Sequence, residues 1–298
     1  MGRRSKPLIV AIVATLMVAG STPATAIAVE PDPVTAAPPK AGVDAAPGLA
    51  AEPATVTVAH RAAAGKAPEQ THAAMTRAVD LRPEHIEIDV QLSKDDVPVI
   101  VHDRTFARTT DVESVFPGRE HDPIGSFTYR EIRRLDAGSW FGKKFAGQRI
   151  PRLSAVVDHL DGTGVGLFLE LKNPNDSPGL ERVVDKVIDA DYRWRGVPMT
   201  FLSFDADSLH RMAKLRSTDR LLWLSPDVPS TSTLRQVAGW ADELGADYRR
   251  LTKQDVGRVH RAGLRLAVYT VNTRSAQSWV LSIRADSLIT DYPEWVKS

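Results

Sequence analysis

The residues of this chain best suited to chemistry are His60 and Arg61, Glu87 and Asp89, His102, and Glu170 and Lys172. In His85-Ile-Glu-Ile-Asp-Val90 the apolar positions Ile86, Ile88 and Val90 share one face of an extended chain, and Glu87 and Asp89 share the other. Two carboxylates pointing the same way suit a hard cation. Glu170 and Lys172 share a face of a later apolar run, Val165–Lys172. A carboxylate-only set, Glu87, Asp89 and Glu170, favours Ca²⁺ or Mg²⁺ over Zn²⁺. The competing reading pairs the same carboxylates with Arg61 and Lys172, without a metal. His60 and His102 stand at the ends of apolar runs beside charged neighbours, and imidazole is the side chain best able to exchange a proton near neutrality. Arg61 and Lys172 beside a dication would form a pocket for phosphate oxygens. This set of groups fits hydrolysis of a phosphodiester, one histidine as base and the other as acid. His72, His85, His121, His159, His210 and His260 lack that context and read as ordinary residues.

These residues need a frame that brings distant strand ends together. Ser93-Lys-Asp-Asp-Val97 is a polar turn between two apolar arms, too short for a helical crossover, so residues 85–102 should form an antiparallel hairpin. The remaining strands are expected at 55–59, 165–172, 199–204, 221–224, 247–250, 266–271 and 287–290. Helical patterns separate them, at 69–80, 178–191, 206–215, 230–244, 254–262 and 273–283. Taking the Pro98 arm as an excursion, this is the strand–helix alternation of a (β/α)8 TIM barrel, whose catalytic groups sit at the C-terminal strand ends. An open doubly wound sheet is the alternative, but no glycine-rich nucleotide loop follows the first strand. An inserted segment at about 103–153 follows the hairpin, with one helical pattern at 128–135, and is long enough to shape a pocket; a further helical pattern at 153–160 follows it.

Composition narrows the setting. The chain has 298 residues, 43% hydrophobic and 25% charged, with a formal net charge of +1 and no block of like charges, so a nucleic-acid partner is not expected. The absence of cysteine excludes disulfides, thiolate metal sites and a cysteine nucleophile. Arg3, Arg4 and Lys6 precede an apolar run and small residues at cleavage spacing, which predicts a signal peptide over residues 1–28 and a secreted product, free or wall-associated, with no stable membrane anchor. Residues 29–54 are rich in Ala and Pro and are expected to be a disordered linker. The folded domain is then 55–298, close to the usual size of one barrel.

The chain resembles the glycerophosphodiester phosphodiesterases. The resemblance is carried, in order, by Ala59-His-Arg61, Pro68-Glu-Gln-Thr71, Ile86-Glu-Ile-Asp-Val90, Ser93-Lys-Asp-Asp96, Pro98–Asp103 with Arg108-Thr-Thr110, Leu135-Asp-Ala-Gly-Ser-Trp-Phe-Gly142, Ile150-Pro-Arg-Leu153, Leu169-Glu-Leu-Lys172, Tyr269-Thr-Val-Asn272 and Ile289-Thr-Asp-Tyr-Pro293. It implies a barrel with a segment inserted after the hairpin. It also implies one divalent cation on Glu87, Asp89 and Glu170, His60 and His102 as acid and base, and phosphate contacts from Arg61 and Lys172. The implied reaction converts a glycerophosphodiester to glycerol 3-phosphate and an alcohol, with the adjacent glycerol hydroxyl attacking first to give a cyclic phosphate. Two positions depart from the family pattern: Ala62 replaces its usual glycine and Tyr269 its usual tryptophan, which bears on the Arg61 loop and on substrate preference. A phospholipase D-like enzyme is an alternative, with Trp140, Phe141 and Phe145 in contact with lipid. The simpler expectation packs these rings inside the inserted segment. A non-catalytic binding module on the same barrel is the remaining alternative.

Overall fold

The β-branched and leucine-rich runs of this chain are buried on both faces, the burial expected of parallel strands covered by helices. The computed structural model describes residues 55–296, and the expected signal peptide and linker lie outside the described residues. The strands are β1 Val56–Ala59, β2 His85–Leu92, β3 Pro98–Ile100, β4 Gly166–Leu171, β5 Met199–Ser203, β6 Arg220–Ser225, β7 Glu243–Asp247, β8 Arg265–Tyr269 and β9 Ser287–Thr290. Eight of them pair in parallel in the order β1-β9-β8-β7-β6-β5-β4-β2, and β1 pairs with β2 to close a (β/α)8 barrel. Strand β3 returns antiparallel against the far end of β2, Val90 opposite Ile100. Among the described residues no helix is long and apolar enough to cross a membrane.

The main helices are α1 His72–Leu81, α5 Leu180–Asp189, α6 Ala206–Leu215, α7 Thr231–Val237, α8 Lys253–Arg261 and α9 Arg274–Ser282; α2 Val112–Val115, α3 Tyr129–Ile132 and α4 Val157–Leu160 are single turns. Their apolar faces meet the outside of the barrel in one continuous core. The barrel interior is filled by Val58, Phe168, Leu202, Leu222, Leu224, Ala267 and Ile289.

Two boundaries differ from the sequence expectation in ways that matter. The helix expected over 69–80 begins only at His72, with Thr71 as its cap accepting from the Ala74 N–H at 3.3 Å. Glu69 and Gln70 are thereby left in the loop, Gln70 at φ +66°. The helix expected over 230–244 stops at Val237, and Glu243–Asp247 is a wholly buried strand rather than 247–250. Helix-forming residues at 240–244 hide this strand, and tertiary packing overrides their propensity. Gly245 meets the constraint: a Cβ there would lie 2.7 Å from a Leu224 methyl and 2.8 Å from one of Leu222.

The inserted segment packs on Val99 and Val101 of the hairpin arm in a second, smaller core with Phe106, Val112, Ile124, Phe127, Ile132, Leu135, Ala137 and Ile150. Phe106 meets Phe127 edge-on at 5.2 Å. The expected helix at 128–135 is one turn, α3, capped reciprocally by Thr128 and Glu131. Trp140, Phe141 and Phe145 do not join this core, contrary to expectation. Phe145 packs partly against the main core, and Trp140 is 41% exposed.

Candidate active site

Strand register places the carboxylates. β2 and β4 run side by side with Asp89 opposite Glu170, while β1 pairs with β2 only as far as Ile86. Glu87 therefore lies just beyond the end of β1, where its Oε2 accepts the Arg61 backbone N–H at 2.7 Å. Ligand oxygens of Glu87, Asp89 and Glu170 all lie within 4.8 Å of one another, and all three residues are buried. Lys172 Nζ reaches Glu170 Oε1 at 2.8 Å and Asp89 Oδ1 at 3.3 Å.

Such crowding is electrostatically costly, and the titration of the groups reflects it. Burial, then the charges of Asp89 and Glu170, push Glu87 well above the usual carboxylate range. Burial and Asp89 push Glu170 up to about 7 against the pull of Lys172. Burial also opposes the charge on Asp89, but Lys172, His102 and Arg61 overcome it and hold its carboxyl below the usual range. Lys172 is likewise buried, and Asp89 and Glu170 raise it above the usual lysine value.

Two buried atoms here take part in no hydrogen bond: Asp89 Oδ1, which has the Lys172 ion pair at 3.3 Å, and Arg61 Nε. A carboxylate oxygen that accepts no hydrogen bond and has only the Lys172 ammonium beside it, among three converging carboxylates, fits a divalent cation, and a buried guanidinium N–H without an acceptor fits an anionic oxygen. The residues present therefore suit a bound dication on Glu87, Asp89 and Glu170.

The histidines approach on two different supports. His60 begins the loop after β1, and its Nδ1 lies 2.6 Å from Asp291 Oδ1. Asp291 in turn accepts from Asn272 Nδ2 at 2.5 Å. His102 follows β3, with Nδ1 2.7 Å from Asp103 Oδ1. Arg108 grips Asp103 through Nε at 2.6 Å and Glu69 through Nη1 at 2.9 Å. Glu69 Oε1 also accepts from Arg61 Nη1 at 3.0 Å, so one network ties the His102 arm to the Arg61 loop. In both cases the carboxylate on Nδ1 orients the ring and leaves Nε2 for other partners. His60, Arg61, Glu87, His102, Glu170 and Lys172 line one cavity of about 190 Å³, closed on its other side by Leu202, Phe204, Leu224, Tyr269, Thr270 and Ile289.

A family model described as the glycerophosphoryl diester phosphodiesterase family matches residues 60–295. The chain belongs to that family. It is a phosphoric diester hydrolase of the glycerophosphodiester phosphodiesterase type. A glycerophosphodiester phosphodiesterase of Caldanaerobacter subterraneus subsp. tengcongensis is 31% identical over 242 residues, covering 80% of this chain and 95% of the relative. One of Bacillus subtilis is 28% identical, covering 80% and 84%. Among solved structures, a phosphodiesterase of Oleispira antarctica, in complex with the product sn-glycerol-3-phosphate, superposes with a TM-score of 0.72 at 29% identity, covering 82% of this chain and 96% of that one.

The structure brings together all the residues singled out from strand ends, and adds a supporting layer to which the sequence reading gave no role. Gln70 donates to Asp89 Oδ2 at 2.5 Å and receives the Asp89 N–H at 3.3 Å, fixing the most buried carboxylate. Gln91 Nε2 donates to the carbonyls of Val101 and Asp103 at 2.9 and 2.8 Å, holding the hairpin arm behind His102. Gln70, Glu69, Asp103, Arg108, Asn272 and Asp291 fall within the resembling motifs, which was the available signal. The departure at Ala62 also has a structural answer: Arg61, Ala62 and Ala63 are all left-handed, at φ +46°, +61° and +63°. The loop keeps a glycine-like path without the glycine, at a cost of order 1 kcal/mol per residue.

Proposed function

We propose that this enzyme is a secreted, divalent-cation-dependent hydrolase that converts glycerophosphodiesters to sn-glycerol 3-phosphate and an alcohol, using His60 and His102 as its acid–base pair. The observation that carries the reading is that both imidazoles line the cavity of Arg61 and Lys172, each with its own carboxylate on Nδ1. A Ca²⁺ or Mg²⁺ ion on Glu87, Asp89 and Glu170 would offset the charge that builds on the phosphoryl group. Arg61 and Lys172 hold the phosphate oxygens. One histidine takes the proton of the attacking glycerol hydroxyl, and the other gives a proton to the departing alcohol oxygen. Water then opens the resulting cyclic phosphate with the histidine roles exchanged, giving glycerol 3-phosphate. Secretion rests on the basic start, apolar run and small residues of 1–28.

The test is release of glycerol 3-phosphate from glycerophosphocholine by His60→Ala and His102→Ala. Each variant should lose at least about a thousandfold in kcat/KM, on the scale of about 4 kcal/mol of transition-state stabilisation. Full activity in either would remove that histidine from the mechanism.

A further inference from the structure

The loop between α3 and α4 does not resemble an ordinary polar connection. Trp140 meets Phe141 edge-on at 5.5 Å, Phe141 meets Phe145 edge-on at 5.5 Å, and Lys144 Nζ lies 4.8 Å over the Phe145 ring. The rings are held in place from within the loop. The Asp136 carboxylate accepts the backbone N–H groups of Gly138, Ser139 and Gly147 at 2.7 to 2.9 Å. The Trp140 indole N–H donates to Ala137 O at 3.0 Å. Gly138 packs so tightly that a Cβ would fall 2.0 Å from Phe145 O. A preformed loop of this kind orders little on binding, so its contacts are not spent on fixing it.

The stretch of chain that carries these rings is rich in positive charge. Between Tyr129 and Arg149 stand Arg130, Arg133, Arg134, Lys143, Lys144 and Arg149, all exposed, against the acids Glu131 and Asp136. The stretch carries +4 in a chain whose formal net charge is +1. The loop also lies at the catalytic end of the barrel: Gln148 Oε1 accepts the Ala73 N–H in the first turn of α1, and Ala137 lines a small cleft with Glu69, His102 and Thr109.

We infer that this loop docks the enzyme on an anionic phospholipid surface, with Trp140 and Phe141 entering the headgroup boundary and Lys143 and Lys144 contacting anionic lipid. Trp at a water–apolar boundary keeps its ring in the apolar layer, and each basic residue held near an anionic leaflet strengthens binding about fivefold. The inference rests on the function proposed above in one respect: glycerophosphodiesters are what deacylation of phospholipids releases, so docking would hold the cavity near the reactions that supply its substrate.

The test is vesicle co-sedimentation with residues 29–298, the chain left by removal of the expected signal peptide, which contains the whole closed barrel and omits the N-terminal apolar run. Vesicles are pure phosphatidylcholine, or phosphatidylcholine with one-third phosphatidylglycerol. Binding should favour the anionic vesicles at least about tenfold and fade with added salt. Lys143→Gln with Lys144→Gln should remove most of that preference. Trp140→Ala with Phe141→Ser should weaken binding about tenfold or more on the anionic vesicles. The lysine pair is exposed, so that variant keeps the test valid even if the aromatic variant disturbs the loop. Both variants should keep wild-type kcat/KM on soluble glycerophosphocholine, so a failure of docking is separate from a failure of the proposed reaction. Equal binding to both vesicles, or binding unchanged by the lysine pair, would overturn the inference. So would retention on a soluble polyanion with none on vesicles, which would make the patch a polyanion site.

Discussion

The two mouths of this barrel are both lined by buried titratable groups, yet those groups are arranged differently. At the N-terminal mouth a cavity of about 420 Å³ is lined by His85, Arg220, Glu243, Arg265 and Ser287. His85 Nδ1, Glu243 Oε2 and Ser287 Oγ are buried there without hydrogen-bond partners. Burial pushes Glu243 up and His85 down to about 4. At the C-terminal mouth three carboxylates face one another within 4.8 Å, and two imidazoles line the same cavity. At the opposite mouth a single buried carboxylate, Glu243, has Arg220 as its ion-pair partner at 3.6 Å. A perturbed titration therefore marks burial. Convergence of three carboxylates on one point, with a single lysine between two of them, distinguishes the C-terminal mouth.

The largest effect that tests this contrast comes from the crowded carboxylates. Glu170→Gln should cost at least about a thousandfold in kcat/KM, about 4 kcal/mol, while raising the stability of the cation-free protein. A variant that kept activity, or lost stability after chelation, would make the cluster structural. The matched change at the other mouth, Glu243→Gln, should leave kcat/KM within about twofold, since it lies beyond reach of the reacting atoms.

The mouths should also respond to acid with opposite signs. Glu170 rises from 4.5 to about 7 on folding without a cation, so its contribution to stability is full below pH 4.5 and is lost as pH rises through 7. His85 falls from 6.5 to about 4 because burial disfavours the imidazolium, so its contribution is full above pH 6.5 and is lost as pH falls through 4. Each amounts to about 3 kcal/mol, and between pH 6.5 and 4.5 they oppose one another. Urea unfolding of the chelated protein should lose stability more steeply on acidification in Glu170→Gln and less steeply in His85→Phe. Parallel profiles for the two variants would refute the contrast.

Within the C-terminal mouth the two histidines differ in support, which predicts a smaller effect. His60 is braced by Asp291 and Asn272 at the ends of barrel strands, whereas His102 depends on Asp103 and the partly exposed Arg108 of the inserted segment. Arg108→Gln should reduce kcat about tenfold through His102 and Arg61, about 1.4 kcal/mol, with little change in melting temperature. An effect confined to KM would assign Arg108 to substrate binding instead. The smallest effect belongs to the loop behind Arg61. Ala62→Gly relieves one left-handed alanine, less the extra chain entropy of glycine, and should stabilise by less than about 1 kcal/mol with activity retained. Clear destabilisation in urea would show that the Ala62 methyl contributes packing that outweighs its strain.

The barrel was legible because strand and helix periods alternate along the domain, and the site because its charged residues interrupt apolar strands at their ends. The residues that sequence patterns do not reveal lie off that alternation. Gln70 and Glu69 sit where helix propensity extends α1 backwards, and only the Thr71 cap excludes them. Asp291 and Asn272 lie some two hundred residues from His60, and their role follows from barrel closure rather than local spacing. β7 was misplaced because Gly245 satisfies the crowded interior at the expense of strand propensity. The aromatic loop was expected inside the insert because ring type alone does not reveal which core a side chain reaches.

The most direct test of the account is removal and return of a divalent cation. Chelated protein, shown to be metal-free by elemental analysis, should release glycerol 3-phosphate from glycerophosphocholine at least about a thousandfold more slowly. Ca²⁺ or Mg²⁺ should restore the rate in the wild type and not in Asp89→Asn. Undiminished release by the metal-free enzyme would contradict the reading of Glu87, Asp89 and Glu170 as a cation site.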